Sequence, residues 1–265
     1  MLQPIERLKE YIDCARVLGR GPKERGSIFW RETKNLRVRL KLGTYHPNDI
    51  YSLQTIYGPL HFRDNFGDIT NLVGLFYQNV YRSKALDQDG VILDVGANIG
   101  LAAAWFALHN PGKPIYCFEP LRMNAELVSM NCPTARVEQV AIGARCGRVK
   151  LNVDPDGVMA SSIPCRWETQ ETEFDVISLD EFISRKGIEQ IALLKIDVEG
   201  METEILEGAI QTLSKTHQIA METHGRSRHE KAVSNLLDAG FSIDAEEFEN
   251  TTGLVFASRG KAGQA

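Results

Sequence analysis

From residue 90 onward the chain alternates short apolar runs with amphipathic stretches, and this alternation constrains its fold more than any other feature. Val91-Ile92-Leu93 leads into a glycine loop and a helical stretch through His109. Ile115-Tyr116-Cys117-Phe118 leads into a helical stretch from Asn124 to Asn131, and Val137 to Ile142 makes a third run. An irregular section, 143–175, holds one alternating strand, Val149 to Val153, and a Ser/Pro loop. Regular alternation then resumes. Val176 to Leu179 enters a helix Asp180–Arg185, and Ile191 to Ile196 is a strongly apolar strand followed by a helix from about Glu202 to Leu213. His217 to Met221 is a further strand, a helix over 228–239 ends at Gly240, and two strands close the chain near 241–245 and 253–258. Strands alternating with helices make βαβ units. The expected fold is therefore α/β and doubly wound, a mainly parallel sheet with helices on both faces. Such sheets bind ligands at the carboxyl ends of their strands.

The first 89 residues read differently. Ile5, Leu8, Ile12 and Ala15 recur at helical spacing after Pro4, until Gly19-Arg20-Gly21-Pro22 stops the helix. Leu36-Arg37-Val38-Arg39-Leu40-Lys41-Leu42 alternates apolar and cationic residues and predicts a half-buried strand with one basic face. That face could meet phosphate, an acidic glycan or a partner, though lysine and arginine also protect ordinary strand edges. Residues 44–86, rich in Tyr, Phe and Asn, predict a small cap of helices and turns. The division expected is a cap over 1–89, one cofactor domain over 90–258 and a flexible tail over 259–265.

Composition narrows the function classes. With 30 basic against 35 acidic residues the chain lacks the basic excess of a dedicated DNA-binding protein, so a nucleic-acid partner is not expected. Charge is nevertheless uneven: residues 20–41 hold eight Lys/Arg against two acids, and 168–208 hold twelve acids against three basic residues. The start has no basic region followed by an apolar run, and no uncharged stretch reaches the roughly 18 residues of a membrane span. Five widely spaced cysteines (14, 117, 132, 146, 165) form no Cys-x-x-Cys pair, so neither a zinc ribbon nor a disulfide scaffold is indicated. These features predict a cytoplasmic protein with reduced thiols. Oligomeric state is not legible.

The loop Asp94-Val95-Gly96-Ala97-Asn98-Ile99-Gly100 follows the first strand and opens a helix. Its glycines let the backbone turn sharply and approach a ligand without a Cβ in the way. Glu119 ends the second strand, 19 residues beyond Gly100, near the spacing at which an acid meets the ribose of a bound nucleotide. A dinucleotide loop needs a middle glycine, which Ala97-Asn98 replaces, and a carboxylate at Asp94 would repel a pyrophosphate. The same carboxylate would welcome a cationic amino-acid or sulfonium group. Asp-x-Gly-x-x-x-Gly thus favours S-adenosylmethionine over NAD, with Asp94 near the methionine end and Glu119 on the ribose.

Together with Phe118-Glu119-Pro120, Val176 to Phe182, Leu194-Lys195-Ile196-Asp197-Val198-Glu199-Gly200-Met201-Glu202 and Leu206-Glu207-Gly208, this loop resembles the FkbM family of methyltransferases. Ser161-Ser162 sits where that family often has a serine pair. The resemblance runs from about residue 90 to 257, and Thr44–Leu60 only faintly resembles the family's leading region. It implies a class I, Rossmann-like methyltransferase fold with a seven-stranded, mostly parallel sheet and an N-terminal helical/β cap. It also implies O-methylation of a small molecule or sugar. By the same analogy Gly96, Ala97, Asn98, Gly100, Pro120, Asn124 and Ser162 belong to the cofactor site, and Val140-Ala141-Ile142 lies against the adenine.

The residues after the fourth and fifth strands carry the acceptor chemistry. Lys195, Asp197 and Glu199 end an otherwise apolar run, and buried charges are costly unless paired, which makes them functional candidates. Strand alternation puts Lys195 and Asp197 on one face. The competing reading pairs Lys195 internally with an acid and leaves Glu199, Glu202 and Glu204 to cap the next helix. Glu222 and His224 share a face if the fifth strand persists that far, and an unperturbed histidine titrates near pH 6.5, as a general base should. Asp197, Glu222, His224 and Lys195 are the catalytic candidates, and Asp197 also belongs to the cofactor site. Asp197, Glu199, Glu222 and His224 could hold Mg²⁺ or Mn²⁺, but no ligand spacing requires it and a metal is not expected. Alternatives are N- or carboxyl-methylation, an NAD-dependent oxidoreductase, or a non-catalytic module that binds through the basic face 36–42.

Overall fold

The apolar runs after residue 90 form a seven-stranded sheet in the computed structural model, which describes residues 4–81, 86–154, 160–162 and 169–260. The chain begins with α1 (Pro4–Leu18), α2 (Pro22–Arg39), the antiparallel pair β1 (His46–Thr55) and β2 (Gly58–Asp64), and α3 (Phe66–Phe76). Then follow β3 (Val91–Val95), α4 (Leu101–His109), β4 (Ile115–Phe118), α5 (Arg122–Asn131) and β5 (Arg136–Glu138). Four strands, β6 (Ala141–Ile142), β7 (Gly147–Val153), β8 (Ala160–Ser161) and β9 (Gln170–Ile177), make a separate small sheet. The rest comprises α6 (Leu179–Lys186), β10 (Ile191–Ile196), α7 (Glu202–Glu207), α8 (Ile210–Ser214), β11 (Thr216–His224), α9 (Arg226–Asp238), β12 (Ser242–Glu249) and β13 (Thr252–Ser258).

The main sheet runs β12-β13-β11-β10-β3-β4-β5. Strands β11, β10, β3, β4 and β5 are parallel, and β13 alone is reversed, between β11 and β12. This is the Rossmann-like, doubly wound α/β architecture. Every residue of β10 is buried, as a central strand covered on both faces requires. On one face Ile92, Leu193 and Ala220 pack with α4, α5 and the N-terminal elements; on the other Leu93, Leu194 and Ile196 pack with α6 to α9. The β3/β10 switch in strand order opens a crevice at the carboxyl ends.

Several sequence expectations change. Residues 36–42 are not a basic strand: α2 runs through them to Arg39, and Lys41 (φ +58°) closes the helix with Leu42 N–H donating to Arg37 O at 2.8 Å. No glycine or proline interrupts 27–42, and Leu, Arg and Lys are good helix formers, so the alternation was incidental. Ile28 and Glu32, one turn apart, face inward, while Leu36, Leu40 and Leu42 are exposed. Arg37 stacks on Trp30, its guanidinium carbon 3.9 Å from the ring centre. The proposed basic face therefore has no strand to present it. Residues 44–86 contain a β-hairpin as well as a helix, because Leu53 and Thr55 of β1 and Leu60 and Phe62 of β2 bury one alternating face.

The third run breaks at Val140, giving β5 to the main sheet and β6 to the small one. The helix expected over 202–213 divides in two at Gly208. A Cβ there would lie 2.4 Å from Gly143 O, and Asp180 caps the second piece by accepting from Gln211 N at 3.0 Å and Thr212 N at 2.7 Å. Cys14, Cys117 and Cys132 are buried and free, and Cys146 is exposed and free. Cys165, most of the Ser/Pro loop and the last five residues of the expected tail lie outside the described residues. Among the described residues no helix is long and apolar enough to cross a membrane.

One side chain fastens the N-terminal elements to the main domain. Asn131, at the end of α5, accepts from His61 N at 2.6 Å and donates to His61 O and Ile99 O, both at 2.7 Å. Its amide thus satisfies β2 and the glycine loop together. Asn131→Ala should lower unfolding free energy by about 2–3 kcal/mol, because buried backbone groups lose their partners. Urea denaturation checks this.

Candidate active site

The crevice holds a cavity of about 270 Å³, whose floor is the loop after β3 and whose walls are the ends of β4, β6, β10 and β11. The loop takes its shape from two glycines. Gly96 has φ +75°, and a Cβ on it would sit 1.9 Å from Asp197 O, so no side chain fits. Gly100, at φ +81°, starts α4 against Val128. The N–H groups of Gly96 and Ala97 both donate to Phe118 O, at 3.1 and 3.0 Å, tying the turn to β4.

Beneath this turn lies a buried ion pair. Lys195 and Asp94 are register neighbours on β10 and β3, and Lys195 Nζ is 3.0 Å from Asp94 Oδ1. The ammonium also donates to Gly96 O at 2.8 Å and reaches Asp197 Oδ2 at 3.6 Å. Burial works against its charge, but Asp94, Tyr81 and Asp197 outweigh that and raise its pKa. Lys195 is thus a strut under the glycine turn. It does not face the cleft, and neither do Asp94, Ala97 or Gly100.

The residues facing the cleft divide into two ends. At one, Glu119 lies with Pro120, Asn124, Ala141 and Ile142. Glu119 Oε2 accepts from Asn98 N and Oε1 from Leu121 N, each at 2.9 Å. Asn124 also hydrogen-bonds the carboxylate, and the roughly four lone-pair sites of its two oxygens still leave room for a ribose hydroxyl. Burial pushes the carboxyl up to about 7 against these hydrogen bonds and the nearby Arg63. Ala141 and Ile142 supply the apolar wall that an adenine ring needs. Gly96, with no Cβ, admits close approach, and these residues fit S-adenosylmethionine.

At the other end stand Asp197, Glu199 and Glu222. Strand β11 does persist through His224, so Glu222 and His224 share a face. His224 Nε2 lies 3.3 Å from Glu199 Oε2 and 3.6 Å from Glu222 Oε1. Its Nδ1 is 2.7 Å from Glu202 Oε1, which also accepts from Gly200 N at 3.0 Å. Glu202 therefore ties down the turn before α7 instead of capping that helix, which has no side-chain cap, and also orients the imidazole. Burial alone would lower the His224 pKa; the Glu202 hydrogen bond and the charges of Glu199, Glu202 and Asp197 raise it to about 9. Asp197, then burial, push Glu222 up to about 8. Ser161 and Ser162 hydroxyls both donate to Glu199 O, at 3.0 and 3.3 Å, fixing the loop that carries that acid.

Sequence reasoning missed Arg63. Its fully buried guanidinium grips Asp68 with Nε at 3.1 Å and Nη2 at 2.9 Å, and it donates to Asn124 Oδ1 at 2.6 Å and Asn98 Oδ1 at 3.2 Å. Asn98 sits at φ +49°, a conformation asparagine tolerates better than most residues, and Arg63 holds it there. The available signal was Asn65-Phe66-Gly67-Asp68, an N-cap with an acid three residues on; Asn65 Oδ1 does accept from Asp68 N at 2.7 Å. Gly67 and Asn71 of α3 also line the cleft, so the cap forms part of its wall.

Breaking the buried pair should cost more than removing it. Lys195→Met leaves Asp94 uncompensated and should destabilise by about 3–5 kcal/mol, whereas Asp94→Asn/Lys195→Met should recover most of the loss. A double-mutant cycle in denaturant measures both.

Known proteins resemble this chain over the same region. Residues 94–243 match the family model described as the methyltransferase FkbM domain. The chain is 27% identical over 212 residues to the 31-O-demethyl-FK506 methyltransferase FkbM of Streptomyces tacrolimicus, covering 65% of this chain and 82% of that one. It is 32% identical over 173 residues to the 2-O-methyltransferase NoeI of Sinorhizobium fredii, covering 56% and 71%. The hexuronic acid methyltransferase AglP of Haloferax volcanii is 22% identical over 175 residues, covering 65% and 72%. The non-catalytic and NAD-dependent readings fall away, and the chain belongs to the FkbM family of S-adenosylmethionine-dependent methyltransferases.

Proposed function

We propose that this enzyme methylates a hydroxyl group of a small molecule or sugar. The observation that carries the reading is the division of one cleft into an end at Glu119, Ala141 and Ile142 and a carboxylate end at Asp197, Glu199 and Glu222, with His224 3.6 Å from Glu222. Relatives described as 31-O-demethyl-FK506 and 2-O-methyltransferases support an oxygen acceptor.

S-adenosylmethionine supplies a methyl group already activated on a sulfonium. Glu119 would hold its ribose, Ala141 and Ile142 its adenine, and the Gly96 turn its amino-acid portion, above Asp94. What remains for the protein is mainly alignment, which can contribute roughly 7–11 kcal/mol; proton removal adds about 10²–10⁴-fold. The acceptor's proton passes to a carboxylate of the Asp197–Glu199–Glu222 end; His224, raised to about 9 by its acidic neighbours, is already protonated at neutral pH and is not the general base that the sequence suggested. Gly67 and Asn71 bring the cap against the cleft, which supports residues 1–89 as the part that selects the acceptor.

Calorimetry with S-adenosylmethionine tests the cofactor, and transfer of labelled methyl to a panel of sugars and polyols tests the acceptor. Glu119→Gln should weaken cofactor binding by at least about tenfold, since charge-assisted hydrogen bonds contribute about 1.5–3 kcal/mol each. Glu119 accepts ribose hydroxyls best when ionised, and its pKa is raised to about 7. Wild-type affinity should therefore decline as pH falls below about 7, while Glu119→Gln shows no such decline. Equal affinity in both proteins at pH 8 would remove Glu119 from the ribose.

A further inference from the structure

The acceptor end of the cleft holds a ligand set that proton removal does not account for. Asp197 follows β10, and Glu222 and His224 lie two residues apart on β11. One ligand atom from each lies within 4.8 Å of the others, and all three residues are half-buried. Glu199 stands at the rim, 3.3 Å from His224 Nε2. Lys195 is committed to Asp94 and Gly96 O and reaches Asp197 at 3.6 Å. Among the described residues the cluster thus gathers carboxylates around one imidazole, with Lys195 and a protonated His224 as the cations that face them, and a divalent ion bound there would displace the imidazole proton.

A separate observation comes from behind the ring. Glu202 is fully buried, and while its Oε1 bonds His224 Nδ1 at 2.7 Å, its Oε2 is buried without a hydrogen-bond partner. A half-satisfied buried carboxylate is costly, and here its one strong side-chain contact turns His224 Nε2 toward Glu222 and Glu199. Holding the Gly200 N–H alone does not need that orientation. A carboxylate on the far nitrogen of a histidine is the arrangement that fixes the tautomer and raises the basicity of a metal ligand.

We infer that Asp197, Glu222 and His224 form a binding site for a divalent cation of the Mg²⁺/Mn²⁺ class, with Glu202 as its positioning residue. Two hard oxygen donors and one imidazole suit Mn²⁺ in particular, with water or acceptor oxygens completing the shell. The ligands come from the ends of two strands, which is why no spacing in the sequence announced them. Binding of the ion stands on its own; its role in orienting an acceptor hydroxyl and lowering its pKa rests on the methyl-transfer reading.

Metal-free full-length protein titrated with MnCl₂, with free Mn²⁺ followed by electron paramagnetic resonance, tests the site without cofactor or acceptor. A saturable Mn²⁺ site is expected, lost in Glu222→Gln and His224→Ala, weakened about 10–100-fold in Glu202→Gln, and unchanged in Glu119→Gln. Thermal unfolding of each variant serves as the folding control, and calorimetry with S-adenosylmethionine on the wild type reads cofactor binding separately. No saturable Mn²⁺ binding to wild type, or binding that survives Glu222→Gln and His224→Ala, overturns the site. Cofactor binding without Mn²⁺ binding would sink the ion and leave methyl transfer standing. Mn²⁺ binding without cofactor binding would support the ion and sink methyl transfer.

Discussion

Lys195 inserted beneath the glycine turn is the interaction on which the rest of the site depends. A fully apolar β10 would pack as well against its neighbours, yet the strand carries a lysine at a buried position. Its ammonium neutralises Asp94 across the strand pair and binds the carbonyl of Gly96, the residue whose missing side chain lets the loop touch Asp197 O. One charge thus joins the paired strands, the turn and the Asp197 carboxylate. Moving it would disturb both ends of the cleft.

A second network carries this order outward to the cap. Arg63, on β2, joins Asp68 of the cap to Asn98 of the glycine loop and Asn124 of α5. Asn98 in turn donates its N–H to Glu119. The contact between cap and cofactor loop is therefore made of directional bonds to the residues that would hold the nucleoside. In such an arrangement α3, whose Gly67 and Asn71 line the cleft, is tied to the loop and helix on its opposite wall.

What was legible in the sequence is what chemistry makes local. The glycine turn, Glu119 at a strand end and the acid-rich exit from β10 each announce themselves within a few residues, and the βαβ alternation orders them. The errors arose where tertiary packing overrode a local pattern. Residues 36–42 alternate like a strand but continue a helix whose inward residues, Ile28 and Glu32, precede the pattern. The helix after β10 breaks at Gly208 because a loop 65 residues earlier in the chain packs against it. The roles of Arg63 and Glu202 are not local: one acts through partners 35 and 61 residues away, the other, although it ends the Leu194–Glu202 motif, through a histidine 22 residues on. Lys195 and Asp94 were recognised as important residues, but their mutual pairing beneath the turn follows only from the strand register.

The central claim is that one cleft orients a nucleoside at Glu119 and a reacting group at Asp197, Glu222 and His224. A crystal structure of the protein with S-adenosylhomocysteine measures this most directly. The account predicts the ribose diol on the Glu119 carboxylate, the adenine against Ala141 and Ile142, and the sulfur facing Asp197 and Glu222. A nucleoside bound away from Glu119, or a sulfur turned from the Asp197–Glu222 end, would contradict it.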